Sequence, residues 1–177
     1  MNTANIQLRR AVAADIDTLN GVVERAFMTW NLPERVKRLS LPSYRYRAID
    51  LQFQHLVVAE TAVHGIIGVA AWEPAEARDL PSGLTGLLLH GLYVEPAHIH
   101  RGIGSRLLDA ALDAARAEGV DGLLVKAQAD AIGFFVARGM RLLPVRDADR
   151  DYPHRYWQAV DLVVPAVNAA QSCHAAS

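Results

Sequence analysis

The chain has 177 residues, which is about one domain and enough to bury a sizeable core. Apolar residues make up 51% of it, and 18 basic residues against 19 acidic ones give a net charge of −1. This balance is typical of an ordinary globular protein, and it excludes the strong positive field that accompanies many nucleic-acid-binding proteins.

The cysteine content and the N-terminal sequence bear on localisation. Cys173 has no second cysteine with which to form an internal disulfide, which favours a reducing cytoplasm. The N-terminus lacks the apolar segment of a signal peptide, and no run reaches the roughly 18 apolar residues that would span a bilayer. We therefore expect a cytoplasmic protein without a membrane partner.

The chain opens with the pattern of a strand followed by a helix. Ile6 and Leu8 alternate with polar residues, which is the period of a half-buried strand. Asp15 is the expected N-cap of the helix, because apolar residues then recur every three or four positions as far as Phe27.

The segment from residue 28 to residue 50 gives a weaker pattern. Pro33 and Pro42 interrupt it and leave one or two helical turns between residues 34 and 39. Aromatic and basic side chains are interleaved there, as they are in some nucleic-acid contacts. We favour a solvated flank whose aromatic side chains pack inward, with no nucleic-acid partner. These aromatic residues are Trp30, Tyr44 and Tyr46.

Two apolar runs predict a β-hairpin. Residues 56–60 and 66–72 are rich in β-branched side chains, and a short glycine-containing segment separates them. Glu73 and Pro74 should end the second strand, and an exposed loop should follow over residues 75–86.

The next apolar strand, residues 87–94, is interrupted by His90 and Gly91. A glycine within a strand indicates a bulge or a close approach of another group to the backbone. The clearest helix of the chain follows, with an apolar stripe that runs from Ile103 to Ala115.

The remaining elements complete an α/β pattern. Residues 121–126 predict a strand parallel to the strand at 87–94, because a helix connects the two. A second helix is expected over 129–138, and the last antiparallel strands are expected at 140–145 and 156–164.

The stretch from Gly91 to Leu108 carries the strongest functional signal. Gly102 and Gly104 leave the main chain open to a ligand, and the helix that begins near Ile103 directs its first unpaired N–H groups to the same place. Such a helix start can hold a phosphate or a pyrophosphate without any side chain.

This stretch resembles acyl-CoA-binding motif A of the GNAT superfamily of N-acyltransferases, and the likeness extends over most of the chain. It rests on the order and spacing of Val94, Pro96, Gly102, Ile103, Gly104, Leu107 and Leu108. Ile99 departs from the pattern, because the family usually has Gln or Arg there.

The resemblance implies a fold as well as a motif. The expected fold is α/β, with a mixed and mostly antiparallel sheet, one splayed parallel strand pair and helices on both faces. It would form a single domain over residues 1–165, and we expect residues 166–177 to be a disordered tail.

The resemblance also assigns contacts to acetyl-CoA, the implied co-substrate. The strand before the loop would pair with the pantetheine arm, and amides of the glycine loop would bind the pyrophosphate. The pattern AxxFFxxRG resembles motif B, whose helix packs beside the thiol end of CoA. The implied cofactor-binding residues are Leu92, Tyr93, Val94, His100, Arg101, Gly102, Ile103, Gly104, Ser105, Gln128 and Phe135.

Transfer of an acyl group to an amine needs few side chains. A backbone N–H of Leu92 or Tyr93 on the bulged strand can stabilise the oxyanion, and proximity supplies much of the rest. A base must also take a proton from the incoming ammonium. His90 is the first candidate because imidazole titrates near neutral pH, and Glu73 is the second.

The sequence leaves three alternatives for the protonation of the departing thiolate. The family often uses a Tyr of motif B, but the matching residue here is Phe135, which has no proton to donate. The thiolate then leaves unassisted, or Tyr152 or Tyr156 donates the proton, or the protein is not catalytic.

The function predicted from the sequence is therefore N-acetyl transfer by direct attack in a ternary complex. The acetyl group would move from acetyl-CoA to a primary amine of a small molecule, a peptide or a protein. The alternative is a non-catalytic module that binds CoA or acyl-CoA for regulation, which Ile99 and Phe135 favour. A nucleotide-binding protein that uses the same glycine loop is a third possibility.

Two further features complete the prediction. His98 and His100 alternate on one side of an extended turn, but two histidines without a third ligand do not make a zinc site, so no metal is expected. The final strands could pair across a two-fold axis, which would give a homodimer.

Overall fold

The computed structural model describes residues 6–161, so the expected tail at 166–177 lies outside the described residues. Within this range, the α-helices are α1 (Ile16–Met28), α2 (Glu34–Tyr44), α3 (Ile103–Ala117) and α4 (Ile132–Ala137). The strands are β1 (Gln7–Arg10), β2 (His55–Thr61), β3 (Gly65–Pro74), β4 (Gly86–Val94), β5 (Gly122–Lys126), β6 (Arg141–Leu142) and β7 (Arg155–Ala159).

All the described strands join one sheet, in the spatial order β1-β2-β3-β4-β5-β7-β6. Neighbouring strands are antiparallel except β4 and β5, which are parallel. The chain reaches β5 from β4 through α3, and a helical crossover is what a parallel pair requires. The mixed, mostly antiparallel sheet expected from the sequence is confirmed.

Helices cover both faces of the sheet. On one face, α3 buries its apolar stripe against β3, β4 and β5, and Leu107 and Leu108 are fully buried there. On the other face, α1 buries Leu19, Val22 and Phe27 against β2, β3 and β4. Both helices carry the apolar spacing that the sequence predicted, because each has a single face to bury.

The bulge in β4 is confirmed and controls the shape of the sheet. Against β3, Ala71 pairs with Gly91 and Trp72 pairs with Leu89, which leaves His90 as an additional residue. The parallel pairing with β5 ends at Leu89. The two strands therefore lie side by side before the bulge and are no longer paired after it.

Helix α2 is longer than the sequence indicated, because Pro42 lies inside its last turn. A proline there removes only one backbone hydrogen bond, at the end of the helix, so the helix continues to Tyr44. Asp15 is the N-cap residue of α1 as expected, but its side chain makes no capping hydrogen bond to that helix. Its carboxylate accepts hydrogen bonds from the Val12 N–H and the Arg9 guanidinium, which closes the preceding short turn.

Other boundaries also differ from prediction. β3 runs from Gly65 to Pro74, so it includes Glu73 and Pro74 in addition to the predicted residues 66–72. β6 has two residues where six were expected, because the chain leaves the sheet before Pro144. A 3₁₀ turn (Ala129–Ala131) precedes α4, which shortens the second predicted helix.

Candidate functional site

The divergence of β4 from β5 opens a slot of about 270 Å³, which we call the interstrand slot. Its walls come from the bulged part of β4, the end of β5, the C-terminal ends of α1 and α2, and α4. The lining residues include Trp30, Tyr44, Leu89, His90, Gly91, Leu92, Tyr93, Val94, Lys126, Ala127, Gln128, Phe134 and Phe135. Main-chain atoms of the bulge therefore border a cavity that has polar and aromatic side chains on its far side.

A second opening, of about 410 Å³, lies at the N-terminus of α3 and is called here the helix groove. It is lined by the loop from His98 to Ser105, without Arg101. Leu92, Val94, Ile99 and Phe134 line both openings, so the groove and the slot lie next to each other. One elongated ligand could therefore extend from the start of α3 to the β4 bulge.

The loop before α3 has the backbone of an anion cradle. His100 has φ 60°, and among residues 6–161 it is the single non-glycine residue with a positive φ. Gly102, at the N-cap of α3, has φ 77°. Left-handed backbone is costly for a side chain with a Cβ, and such conformations cluster at binding sites. The loop turns the first N–H groups of α3, those of Ile103, Gly104 and Ser105, towards the groove.

Gly104 keeps the groove open. A Cβ at this position would lie 3.5 Å from Phe134 Cζ and 3.6 Å from Leu92 Cδ2, both at ordinary contact distance. The fold therefore has space for a side chain here, and the absence of one leaves that space to a ligand.

Of the two candidate bases, the structure brings only His90 to the slot. Its side chain is exposed at the bulge, and its ring lies 6.2 Å from the ring of Tyr46. Glu73 does not line the slot, and its Oε2 accepts a hydrogen bond from Gln54 Nε2 at 3.1 Å. The buried Tyr46 hydroxyl packs on the bulge, where a Cβ at Gly91 would lie 2.4 Å from the hydroxyl oxygen. Only glycine fits at that position.

Neither tyrosine proposed from the sequence as an acid lines the slot. Tyr152 donates its hydroxyl proton to the Ala127 carbonyl at 3.0 Å, and burial raises the pKa of Tyr152 above its ordinary value. Tyr156 is buried in the core beneath α3. Phe135 is buried and contributes an apolar wall to the slot.

Sequence reasoning assigned no chemical role to Tyr44, the last residue of α2. Tyr44 lines the slot, and its hydroxyl accepts a hydrogen bond from Gln128 Nε2 at 3.3 Å. Its ring packs against Phe27 and Trp30, with centroid separations of 4.6 and 5.4 Å. No local pattern reveals this contact, because 84 residues separate Tyr44 from Gln128.

The histidines of the loop are not arranged as a metal site. His98 packs against His64 of the β2–β3 turn, with ring centroids 4.8 Å apart. Burial, together with His64, lowers the pKa of His98. Among residues 6–161 there is no group of three or more His, Cys, Asp or Glu side chains that could hold a metal ion. In the same part of the chain, every helix is too short or too polar to cross a bilayer.

Comparison with known proteins agrees with this geometry. Residues 24–140 match the model of the Acetyltransferase (GNAT) family. No curated protein matches the sequence.

Solved structures share the fold at low sequence identity. The PaiA N-acetyltransferase of Thermoplasma acidophilum, in complex with coenzyme A, is 16% identical, with a TM-score of 0.66 over 86% of this chain and 96% of that one. A GNAT family acetyltransferase of Brucella melitensis, in complex with acetyl-CoA, is 18% identical, with a TM-score of 0.61 over 92% of each chain. A GCN5-related N-acetyltransferase of Ralstonia eutropha is 17% identical, with a TM-score of 0.66 over 81% of this chain and 95% of that one.

Proposed function

The chain belongs to the GNAT acetyltransferase family, and from this premise we propose that it transfers an acetyl group from acetyl-CoA to a primary amine. The acceptor would be a small molecule, a peptide or a protein, and the amine would attack directly in a ternary complex. One observation carries the proposal, which is that the groove at the start of α3 and the slot beside the β4 bulge adjoin and share four lining residues.

The residues along the groove and the slot suit the chemical groups of acetyl-CoA. The amides from His100 to Ser105 would bind the pyrophosphate, with Arg101 nearby in the same loop. The pantetheine arm would follow the main chain from Leu92 to Val94, and Gln128 and Phe135 would border its thiol end. Two structures of the same fold were determined in complex with CoA or acetyl-CoA, which supports the choice of acetyl-CoA as the ligand.

The proposed chemistry takes place at the bulge. The neutral amine attacks the thioester carbonyl, and a backbone N–H of Leu92 or Tyr93 stabilises the negative charge that develops on the carbonyl oxygen. His90 removes the proton that the acceptor must lose, since it is the candidate base that lines the slot. Glu73, bound to Gln54, is left with no direct part in this step.

We also propose the domain organisation of the protein, its compartment and the partners that it does without. Residues 1–165 would act as one domain in the cytoplasm, without a metal and without nucleic acid. The single sheet across residues 7–159 supports one domain, and the net charge of −1 supports the absence of a nucleic-acid partner. Fractionation of cells that express the full chain checks the compartment.

Thermal shift separates the proposal from a nucleotide-binding function. A ligand that binds only the native state raises the free energy of unfolding, and with it the melting temperature. The added free energy is about 2.7 kcal/mol when the ligand is present at one hundred times its Kd. We expect CoA and acetyl-CoA to raise Tm, and NAD and ATP to leave it unchanged. Stabilisation by the nucleotides without stabilisation by CoA would refute the proposal.

Thiol release then separates an enzyme from a regulatory module that only binds CoA. Phe135 and Ile99 are the residues that favour such a module. With acetyl-CoA and a panel of primary amines, we expect CoA thiol to appear only when an acceptor is present. A protein that binds CoA tightly and releases no thiol across a broad panel would be the module.

A further inference from the structure

Breakdown of the thioester needs a proton for the departing sulfur, and the slot limits where this proton can come from. The side chains that line the slot and carry a transferable proton belong to five residues. These residues are Thr29, Tyr44, His90, Tyr93 and Lys126. Phe135, which faces the same space from α4, has none.

Two of the five already direct their protons to other groups. The Thr29 hydroxyl donates to the Ala26 carbonyl at 2.7 Å, as side chains near the end of a helix commonly do. The Lys126 ammonium pairs with the Asp79 carboxylate at 2.7 Å. Transfer of the Thr29 proton would break its hydrogen bond to Ala26, and transfer of a proton from Lys126 would neutralise its ion pair with Asp79.

Two more are poorly suited to give up a proton to the thiolate. Burial raises the pKa of Tyr93 far above its ordinary value, which makes it a weaker acid. His90 lies on the bulge and is the proposed base for the acceptor amine. When the C–N bond forms and the C–S bond breaks together, His90 is still accepting the amine proton, so sulfur needs a second group as its proton donor.

Tyr44 satisfies the remaining requirements. Its hydroxyl accepts from Gln128 Nε2 at 3.3 Å, and among residues 6–161 it has no acceptor for its own proton. The rings of Phe27 and Trp30 hold the phenol in place from two sides. Tyr152 shows the opposite arrangement, because its proton is bound to the Ala127 carbonyl.

We infer that Tyr44 is the general acid of the reaction, supplied by α2 in place of the missing hydroxyl at position 135. This inference rests on the proposed acetyl transfer. As the C–N bond forms and the C–S bond breaks, the electron pair of the C–S bond passes to sulfur and the Tyr44 proton follows it, giving the CoA thiol. The tyrosinate regains a proton from water, and the proton lost by the amine leaves through His90.

The first test is Tyr44→Phe, which removes the hydroxyl and keeps the ring that packs on Phe27 and Trp30. With acetyl-CoA and an acceptor from the amine panel, we expect kcat to fall by about 10²-fold and the KM for acetyl-CoA to stay within about twofold. Tyr152→Phe is measured beside it. A loss of kcat in Tyr152→Phe, with Tyr44→Phe unchanged, would assign the acid to Tyr152 and overturn the inference.

A change of leaving group separates catalysis from positioning. The thiolate of 4-nitrothiophenyl acetate is a far weaker base than CoA thiolate, so it leaves without a proton. If Tyr44 acts as an acid, the ratio of the parental rate to the rate of Tyr44→Phe should therefore fall towards one with this donor. An equal ratio with both donors would mean that Tyr44 only positions other groups.

A crystal structure of the full chain with CoA gives an answer that does not depend on the acceptor. We expect the CoA sulfur within hydrogen-bonding distance of Tyr44 Oη. A sulfur placed beside another donor would overturn the inference and leave the proposed function intact. A protein that binds no CoA at all would overturn both.

Discussion

His90 is the residue whose side chain bears most directly on the proposed chemistry. It lines the interstrand slot and does not line the helix groove, so it can affect the reaction without touching the pyrophosphate end of CoA. We expect His90→Ala to lower kcat by about 10²-fold, the lower end of what a general base contributes. The KM for acetyl-CoA should change little, and steady-state kinetics across pH measures both effects.

His55→Ala is the matched control for this variant. His55 is also exposed, but it stacks on Trp72 with ring centroids 6.2 Å apart and lies outside the slot. The control should therefore keep the parental rate and pH profile. If His90→Ala also keeps them, His90 has no part in the mechanism.

Single residues also show where sequence reasoning reached its limit. The lack of a proton donor at Phe135 was evident from the motif alone. The presence of Tyr44 in the same slot was not, because its contact with Gln128 joins two elements that are far apart in the chain. Spacing patterns report the face on which a residue lies, and they do not report which distant element packs there.

At the scale of elements, the N-terminus of α3 is the part that proposed CoA binding requires. We expect Gly104→Val to abolish CoA binding, because the new side chain would occupy the groove beside Phe134 and Leu92. The fold should survive, since the first added carbon meets both neighbours at ordinary contact distance. Isothermal titration with CoA measures the affinity, and thermal unfolding without ligand confirms the fold.

Gly133→Val is the control for Gly104→Val. Gly133 is also in the first turn of a helix, and nothing lies within 4 Å of a Cβ placed there. The two variants introduce the same side chain into helical backbone, so their intrinsic helix propensities change alike. CoA affinity should be retained in Gly133→Val, and tight binding by Gly104→Val would refute the proposed cradle.

The elements differ in how well their sequences defined them. α1 and α3 were predictable because each has one apolar face against a sheet. α2 was not, because Pro42 suggested an end and Lys37 is its one buried residue. β6 was predicted too long because the apolar residues Leu143 and Val145 follow it. Pro144 lies between them and has no N–H to donate to the sheet, and Val145 is exposed.

At the scale of the whole molecule, the resemblance to the GNAT superfamily, together with the pattern of strands and helices, predicted the architecture. The parallel β4–β5 pair followed from the helix between the two strands, and the bulge followed from Gly91. The insertion of β7 between β5 and β6 did not follow from any local pattern. Strand order depends on contacts between distant segments, whereas strand existence depends on local periodicity.

Stability of the whole fold should depend on three carboxylates that accept hydrogen bonds in different parts of the chain. The Arg9 guanidinium lowers the pKa of Asp15. The Thr85 N–H and hydroxyl, each at 2.8 Å, lower the pKa of Asp121. Backbone N–H groups of its own loop lower the pKa of Asp151. Each carboxylate therefore binds a proton less readily in the folded chain than in the unfolded one.

The sign of this linkage predicts loss of stability in acid. Below the ordinary carboxylate pKa of about 3.9, the unfolded chain takes up protons that the folded chain still excludes, so the free energy of unfolding falls as pH falls. The contribution is complete above about pH 4 to 5 and is lost as pH drops through the lower folded pKa values. We expect Tm to fall most steeply below about pH 4, measured by circular dichroism in buffers of equal ionic strength.

Asp121→Asn tests the part played by one of these carboxylates. Asn keeps an acceptor oxygen for Thr85 but carries no charge and does not titrate. The variant should therefore have a lower Tm at neutral pH, and its Tm should fall less steeply in acid. Asp149→Asn, at an exposed position in the loop before β7, should leave the curve unchanged, and equal acid slopes in all three proteins would contradict the role assigned to Asp121.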